Sequence, residues 1–215
     1  MNFAPYQDLA DDLLPLLPNR GDGAHDLAHL QRVWVSARAI AAAEGGDADV
    51  LAAAVLLHDC VAVEKSSPLR AQASRLAAAR AREILAARHW PEARIAAVEH
   101  AIAAHSFSAG IPTETLEARI LQDADRLDAI GGIGIARCFY TAGRMGSLLY
   151  DPQDPRAAHR PLDDARFATD HFRAKLLKLQ DGFKTATGAE LARQRTALLA
   201  DFLASFEAEL GLPTA

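Results

Sequence analysis

Cysteine is scarce in this chain. Cys60 and Cys138 are the only two, too few for a disulfide framework, so the expectation is a reduced chain with two ordinary buried thiols. Aromatic residues make up 6%, which argues against an all-β sandwich. No run of 18 apolar residues occurs, because Arg, Glu and Asp cut even the Ala-rich stretches. The first residues, MNFAPYQDLADDLL, lack a basic segment followed by an apolar core, so no secretory signal is read there. These absences lead to the expectation of a soluble, cytoplasmic protein with no membrane partner. A basic surplus is missing as well: Lys+Arg 23 against Asp+Glu 28 gives a net charge of −5. Duplex nucleic acid is thereby excluded as the main partner, while a local basic pocket stays open. There is no Gly-x-x-x-x-Gly-Lys-Ser/Thr loop, and GGIGIA (131–136) follows no strand signal, so neither a P-loop nor a dinucleotide fingerprint is present. Gly131 and Gly132 are read instead as allowing close helix packing.

Half of the 215 residues are hydrophobic and 47 are Ala. A compact domain of this length buries roughly 70–75% of its unfolded surface and needs no covalent staples. Apolar residues recur with a helical period almost throughout. The spacing predicts helices at 4–17, 26–44 (capped by Asp26), 47–59, 69–88, 91–105, 115–130, 133–145, 166–179 and 187–210. Gly45-Gly46 ends the second of these, and the segment Tyr150–Asp164, with three prolines, reads as a loop. No hairpin, repeat or linker signal interrupts the series. The fold expected is all-α: a single domain over 1–215, its core at about 22–185 and the C-terminal helices packed on it.

Polar residues fall where that pattern demands core. Leu51, Ala54, Val55 and His58 share one helical stripe, and His29, Val33, Ala37 and Ile40 share another. His105 follows Ile95, Val98 and Ile102 on one side, whereas His100 points away. Leu121, Asp125 and Asp128 lie on a common face; Asp123 falls off it. Chance alone predicts about 0.7 His-Asp dipeptides with 8 His and 18 Asp, so His25-Asp26 and His58-Asp59 carry little weight as dipeptides. Inward placement carries more. An uncompensated buried carboxylate costs several kcal/mol, so Asp59 and Asp125 need strong donors or a cation. A divalent metal would satisfy two carboxylates and two imidazoles together. The competing readings are a hydrogen-bonded core histidine for each His, a cap or arginine partner for Asp125, and Lys65, Arg70, Arg32 or Arg126 as the countercharge.

HDLAHLQRV (25–33), LLHDC (56–60) and LQDADRLDAIGGIGIARC (121–138) resemble the HD-domain superfamily of metal-dependent phosphohydrolases, and within it the bacterial YpgQ/YedJ-type subgroup. EKSSPLRAQAS (64–74), AIAAHSFSAG (101–110) and Leu-Tyr-Asp-Pro (149–152) extend the resemblance over about 22–185. It implies a helical bundle with His29, His58, Asp59 and Asp125 as metal ligands and His25 as a weaker candidate. Adjacent His58 and Asp59 diverge by ~100° on a helix, so both reach one ion only near a helix end, expected at Cys60. Mn²⁺ suits this mixed set, with Mg²⁺, Co²⁺, Fe²⁺, Ni²⁺ or Zn²⁺ as alternatives.

The resemblance further implies a phosphate-bearing small-molecule substrate, a nucleotide, cut from triphosphate to monophosphate and pyrophosphate. Lys65 and Arg70, with Arg32, are the candidates to hold its phosphates, and a surface lysine or salt bridge is the plainer reading of each. His105 is a candidate proton donor to the leaving group, and Asp128 a candidate to orient water or a neighbouring side chain. Glu64 departs from the small or apolar residue expected at its place: paired with Lys65 it weakens the phosphate contact, and facing water it offers a base. Terminal phosphate removal, opening of a cyclic phosphodiester and a non-catalytic nucleotide-sensing module are the alternatives on the same residues. A homodimer is the oligomeric expectation.

Overall fold

The computed structural model describes residues 3–18, 27–63, 67, 69–106 and 109–212. Among them the regular structure is α1 (Gln7–Leu13), α2 (Leu27–Glu44), α3 (Ala48–Leu57), α4 (Ala73–Ala86), α5 (Glu92–His105), α6 (Leu116–Leu127), α7 (Gly131–Met145), α8 (Ala168–Ala174) and α9 (Ala186–Glu209), with short 3-10 turns between some of them. One isolated bridge, Leu148 to Phe167, is the sole extended pairing among the described residues, so the all-α expectation holds. No helix among them is long and apolar enough to cross a membrane. Backbone contacts group the chain into two compact units, Met1–Asp125 and Arg126–Ala215. The division falls inside α6, which explains why composition shows no linker.

Several helices are shorter than their apolar period suggests. Leu14–Leu16, with Pro15 at its start, tightens into a 3-10 turn where continuous helix was expected, and Leu176–Gly182 does so from within the helix expected to end at 179. The predicted cap Asp26 lies outside the described residues. Helix α3 stops at Leu57 rather than Asp59.

Within the first unit α3 is the central element. Every residue from Val50 to Leu57 is buried, not only the single predicted stripe, because α1, α2, α4 and α5 all pack against it. Ala52, Ala53 and Ala54 keep its surface narrow enough for those neighbours, and each fully buried Leu or Val contributes roughly 1.5–3 kcal/mol. Its start is fixed by Asp47, whose carboxylate accepts from the backbone N–H of Asp49 and Val50 at 3.0 and 3.2 Å. Arg94 of α5 donates to Asp47 at 3.2 Å and pairs with Asp49 at 2.7 Å, and the Asp47 N–H donates to Glu117 of α6 at 2.8 Å. One helix start thus ties α3, α5 and α6. Cys60 is the expected buried thiol, its Sγ 3.4 Å from the Ala77 carbonyl.

In the second unit α7, α8 and α9 enclose Phe139, Phe172, Phe202 and Phe206, with ring centroids 5.8–6.2 Å apart. Gly131 and Gly132 face α9 as expected, a Cβ on Gly131 lying 3.1 Å from the Arg195 side chain and one on Gly132 3.9 Å from Leu198, and Gly134 is tighter still: a Cβ there would sit 2.4 Å from the Ala129 carbonyl oxygen. Gly131 is required for its left-handed φ of +73° as well. The proline-bearing segment is a loop as expected, and it is pinned. Arg160 donates to fully buried Asp170 through both terminal nitrogens, at 2.5 and 3.0 Å, and reaches Asp151 at 2.9 Å. Burial pushes the Cys138 thiol up to about 11, so it stays protonated.

Asp47→Ala removes a cap and an Arg94 partner, and the expected loss is about 1–2 kcal/mol in urea unfolding, with Asp47→Ser recovering the capping share. Equal stability of Asp47→Ala and the parent would show that α3 does not depend on this cap.

Candidate metal centre

Four helix ends in the first unit supply the site. His29 lies in the first turn of α2, buried, above Val33, Ala37 and Ile40 on the predicted stripe. His58 is the C-cap of α3, and Asp59 follows it. The helix therefore ends at Leu57, before the loop that was expected to start at Cys60. His105 closes α5 and is buried. Asp125 sits in the last turn of α6.

Two of the histidines cap their own helices. His58 Nδ1 donates to the Val55 carbonyl at 2.8 Å, and His105 Nδ1 donates to the Ile102 carbonyl at 2.6 Å. These oxygens belong to the last turns of α3 and α5, where an α-helix leaves carbonyls without intrahelical donors. A carbonyl only accepts, so Nδ1 carries the proton in both rings and Nε2 of the neutral ring is left with a lone pair. Burial pushes His58 down to about 4, with His105 and His29 acting in the same sense against Asp59 and Asp125. His58 is accordingly neutral at pH 7, the form that ligates metals.

Around that lone pair the other groups converge. His29 Nε2 lies 3.3 Å from His58 Nε2 and 3.4 Å from Asp125 Oδ1. His58 Nε2 lies 3.9 Å from Asp59 Oδ2 and 4.0 Å from Asp125 Oδ1. Among the described residues, His29, His58 and Asp125 form one group with metal-binding spacing, and His58, Asp59 and His105 form another. An ion bound at about 2.1 Å with octahedral angles separates its ligand atoms by about 3 to 4.2 Å, the interval these distances occupy. His58 Nε2 and the two carboxylates are acceptors aimed at one another, so the donor set fits a divalent cation.

Asp59 and Asp125 are not deeply buried; their side chains are 30% and 31% exposed. Their desolvation does not by itself demand a cation, and the case rests on convergent lone pairs. The cluster has a dry imidazole floor and a carboxylate rim open to water, as a site that admits a polar substrate requires. Arg126, weighed as a countercharge, donates to the Leu179 carbonyl at 2.8 Å and stacks over Phe183.

The remaining candidates are distributed as follows. Arg32 is one turn beyond His29 on α2, partly buried. Arg70 begins the turn Arg70–Gln72, its side chain outside the described parts. His25, Glu64 and Lys65 lie outside the described residues. Asp128 belongs to the second unit, where it is buried and accepts from Arg137 at 2.6 Å. Two residues escaped sequence reasoning. Asp123, set off the inward stripe, is fully buried, and Gln122 is buried with its Nε2 donating to the Ala104 carbonyl at 2.8 Å. The signal available was their position amid Ala118, Ile120, Leu121, Ala124 and Leu127, too many buried positions for one face.

Comparison with known proteins places the chain in a family. A family model described as the HD domain matches residues 26–130. YpgQ of Bacillus subtilis (strain 168) is 33% identical over 190 residues, covering 86% of this chain and 84% of YpgQ. The crystal structure of B. subtilis YpgQ in complex with ADP superposes with a TM-score of 0.72 at 31% identity, over 93% of this chain and 97% of that one. An HD-superfamily hydrolase from Bacillus thuringiensis superposes with a TM-score of 0.73 at 29% identity, over 96% and 99%.

Because His58 titrates lower in the native state than the 6.5 of an unfolded chain, its contribution to stability is complete above pH 6.5 and is lost as pH falls toward 4. In chelator-treated protein that loss amounts to about 3 kcal/mol across the window. Urea unfolding of the parent and His58→Gln between pH 7 and 4 should show the gap between them closing by that amount. Parallel curves would mean that His58 does not resist protonation.

Proposed function

Because this chain belongs to the HD-domain family of metal-dependent phosphohydrolases, we propose that it hydrolyses nucleotides, cutting nucleoside or deoxynucleoside triphosphates to monophosphate and pyrophosphate. The observation that supports this reading is a pair of His/Asp groups at the end of α3 that share His58: His29, His58 and Asp125 in one, and His58, Asp59 and His105 in the other. The nucleotide assignment draws support from YpgQ, which was solved with ADP.

The four residues would hold a divalent ion, Mn²⁺ being favoured by two imidazoles and two carboxylates together. When bound, such an ion supplies Lewis acidity toward a phosphoryl oxygen and toward water. The rest is the work of the chain's own groups. The Val55 carbonyl holds the His58 proton on Nδ1, so Nε2 stays a ligand across the working pH range. Asp59 and Asp125, a third exposed, leave the rim open for the substrate to enter. His105 presents Nε2 beside His58, ring centroids 5.0 Å apart, and is assigned the exchange of a proton with the leaving oxygen. Lys65, Arg70 and Arg32 are assigned the remaining phosphates, where their charge offsets that of a polyphosphate. Asp128 is assigned an orienting part through the Arg137 side chain it holds.

Chelator-stripped protein refilled with Mn²⁺ and given deoxy- and ribonucleoside triphosphates should release pyrophosphate. Asp59→Ala, folded by circular dichroism, should lose at least two orders of magnitude of that rate. Orthophosphate as the first product would move the cleavage to the terminal phosphate, and metal uptake without turnover would favour a nucleotide-sensing module.

A further inference from the structure

We infer that Gln122 is a positioning residue of the metal cluster: it clamps α6 to the end of α5 and so sets the place of Asp125 against His105. The inference rests on the metal-site reading above and extends it to a residue that ligates nothing. Gln122 is 3% exposed and stands among Ala118, Ile120, Leu121 and Ala124, all fully buried. Its Nε2 donates to the Ala104 carbonyl at 2.8 Å. Its Oε1 has no hydrogen-bond partner among the described residues. A leucine or methionine there would fill the space without leaving a buried amide oxygen unpaired, so packing alone does not account for the polar side chain.

The position of the bond does account for it. Ala104 is adjacent to His105, and its carbonyl is in the last turn of α5, where oxygens lack intrahelical donors. The neighbouring Ile102 carbonyl is taken by the His105 ring. The two bonds together close the end of α5, one from within the helix and one from α6. Asp125 lies three residues beyond Gln122, on the same side of α6 within one turn. A single buried hydrogen bond therefore joins the backbone that carries His105 to the helix turn that carries Asp125, whose Oδ1 is 3.4 Å from His29 and 4.0 Å from His58. At the opposite end of α6 the Asp47–Glu117 bond also fixes this helix, but two turns away from the ligands. Outer groups that bond a ligating side chain directly are worth about 10–100-fold in metal affinity; Gln122 acts through the backbone beside the site, and the lower end of that range is expected.

The test is Mn²⁺ titration of chelator-stripped protein by calorimetry, with urea unfolding alongside, on the parent, Gln122→Met and Ile120→Val. Ile120→Val trims a buried side chain on the same helix and leaves the clamp in place. The expected result is at least a tenfold weaker Mn²⁺ dissociation constant in Gln122→Met and an unchanged one in Ile120→Val, even where Ile120→Val is the less stable. Parent-like affinity in Gln122→Met, or an equal loss in both variants, overturns the inference. Should Gln122→Met not fold, Gln122→Asn carries the test, since its amide falls one methylene short of Ala104; the same tenfold loss supports the clamp and parent-like affinity overturns it. A parent protein that takes up no Mn²⁺ overturns the metal-site reading itself, a result distinct from either.

Discussion

The hydrogen bond from His58 Nδ1 to the Val55 carbonyl is the constraint on which the site depends. It satisfies an orphan carbonyl at the end of α3, and in doing so it decides which ring nitrogen holds the proton. A lone pair is then fixed on Nε2, in a buried position where protonation is disfavoured down to about pH 4. His105 repeats the device at the end of α5. Helix termination and ligand preparation are one event here: His58 caps α3, and the carboxylate of Asp59, which follows it, comes to 3.9 Å from His58 Nε2.

The surrounding architecture serves to hold that helix end still. Because α3 is buried on every side, it has no solvent face on which to slide, and its start is locked by Asp47, Arg94 and Glu117. Rigidity at one end and an exposed carboxylate rim at the other give a cluster that is preorganised yet reachable. The neutral, dry imidazole of His58 binds a borderline cation well, and carboxylates that keep part of their hydration supply charge without a large desolvation penalty.

Much of this was legible in the sequence. Helical periodicity placed His29, His58 and His105 on inward stripes, and all three are buried. The HD-type spacing then selected His29, His58, Asp59 and Asp125, which the fold places in two groups that share His58. What periodicity could not give was depth. It treated Asp59 and Asp125 as buried because their neighbours are apolar, yet both lie at helix ends, where side chains reach solvent. It read one stripe on α3 and on α6 where each is enclosed on more sides, and so missed Asp123 and Gln122. Helix ends were overextended at Leu57 and Leu13, where 3-10 geometry or a capping ring takes over from the apolar period. Gly134 escaped notice for a similar reason: its need for a missing Cβ comes from the Ala129 carbonyl, a backbone contact that no side-chain pattern records.

The central claim is that backbone-fixed imidazoles and rim carboxylates form one divalent-cation site. Anomalous diffraction at the manganese edge from Mn²⁺-soaked crystals tests it most directly. The account predicts a peak bonded to Nε2 of His29 and His58 and to oxygens of Asp59 and Asp125, with His58 Nδ1 still on the Val55 carbonyl. Coordination through Nδ1, or a peak that leaves these four residues unligated, would contradict it.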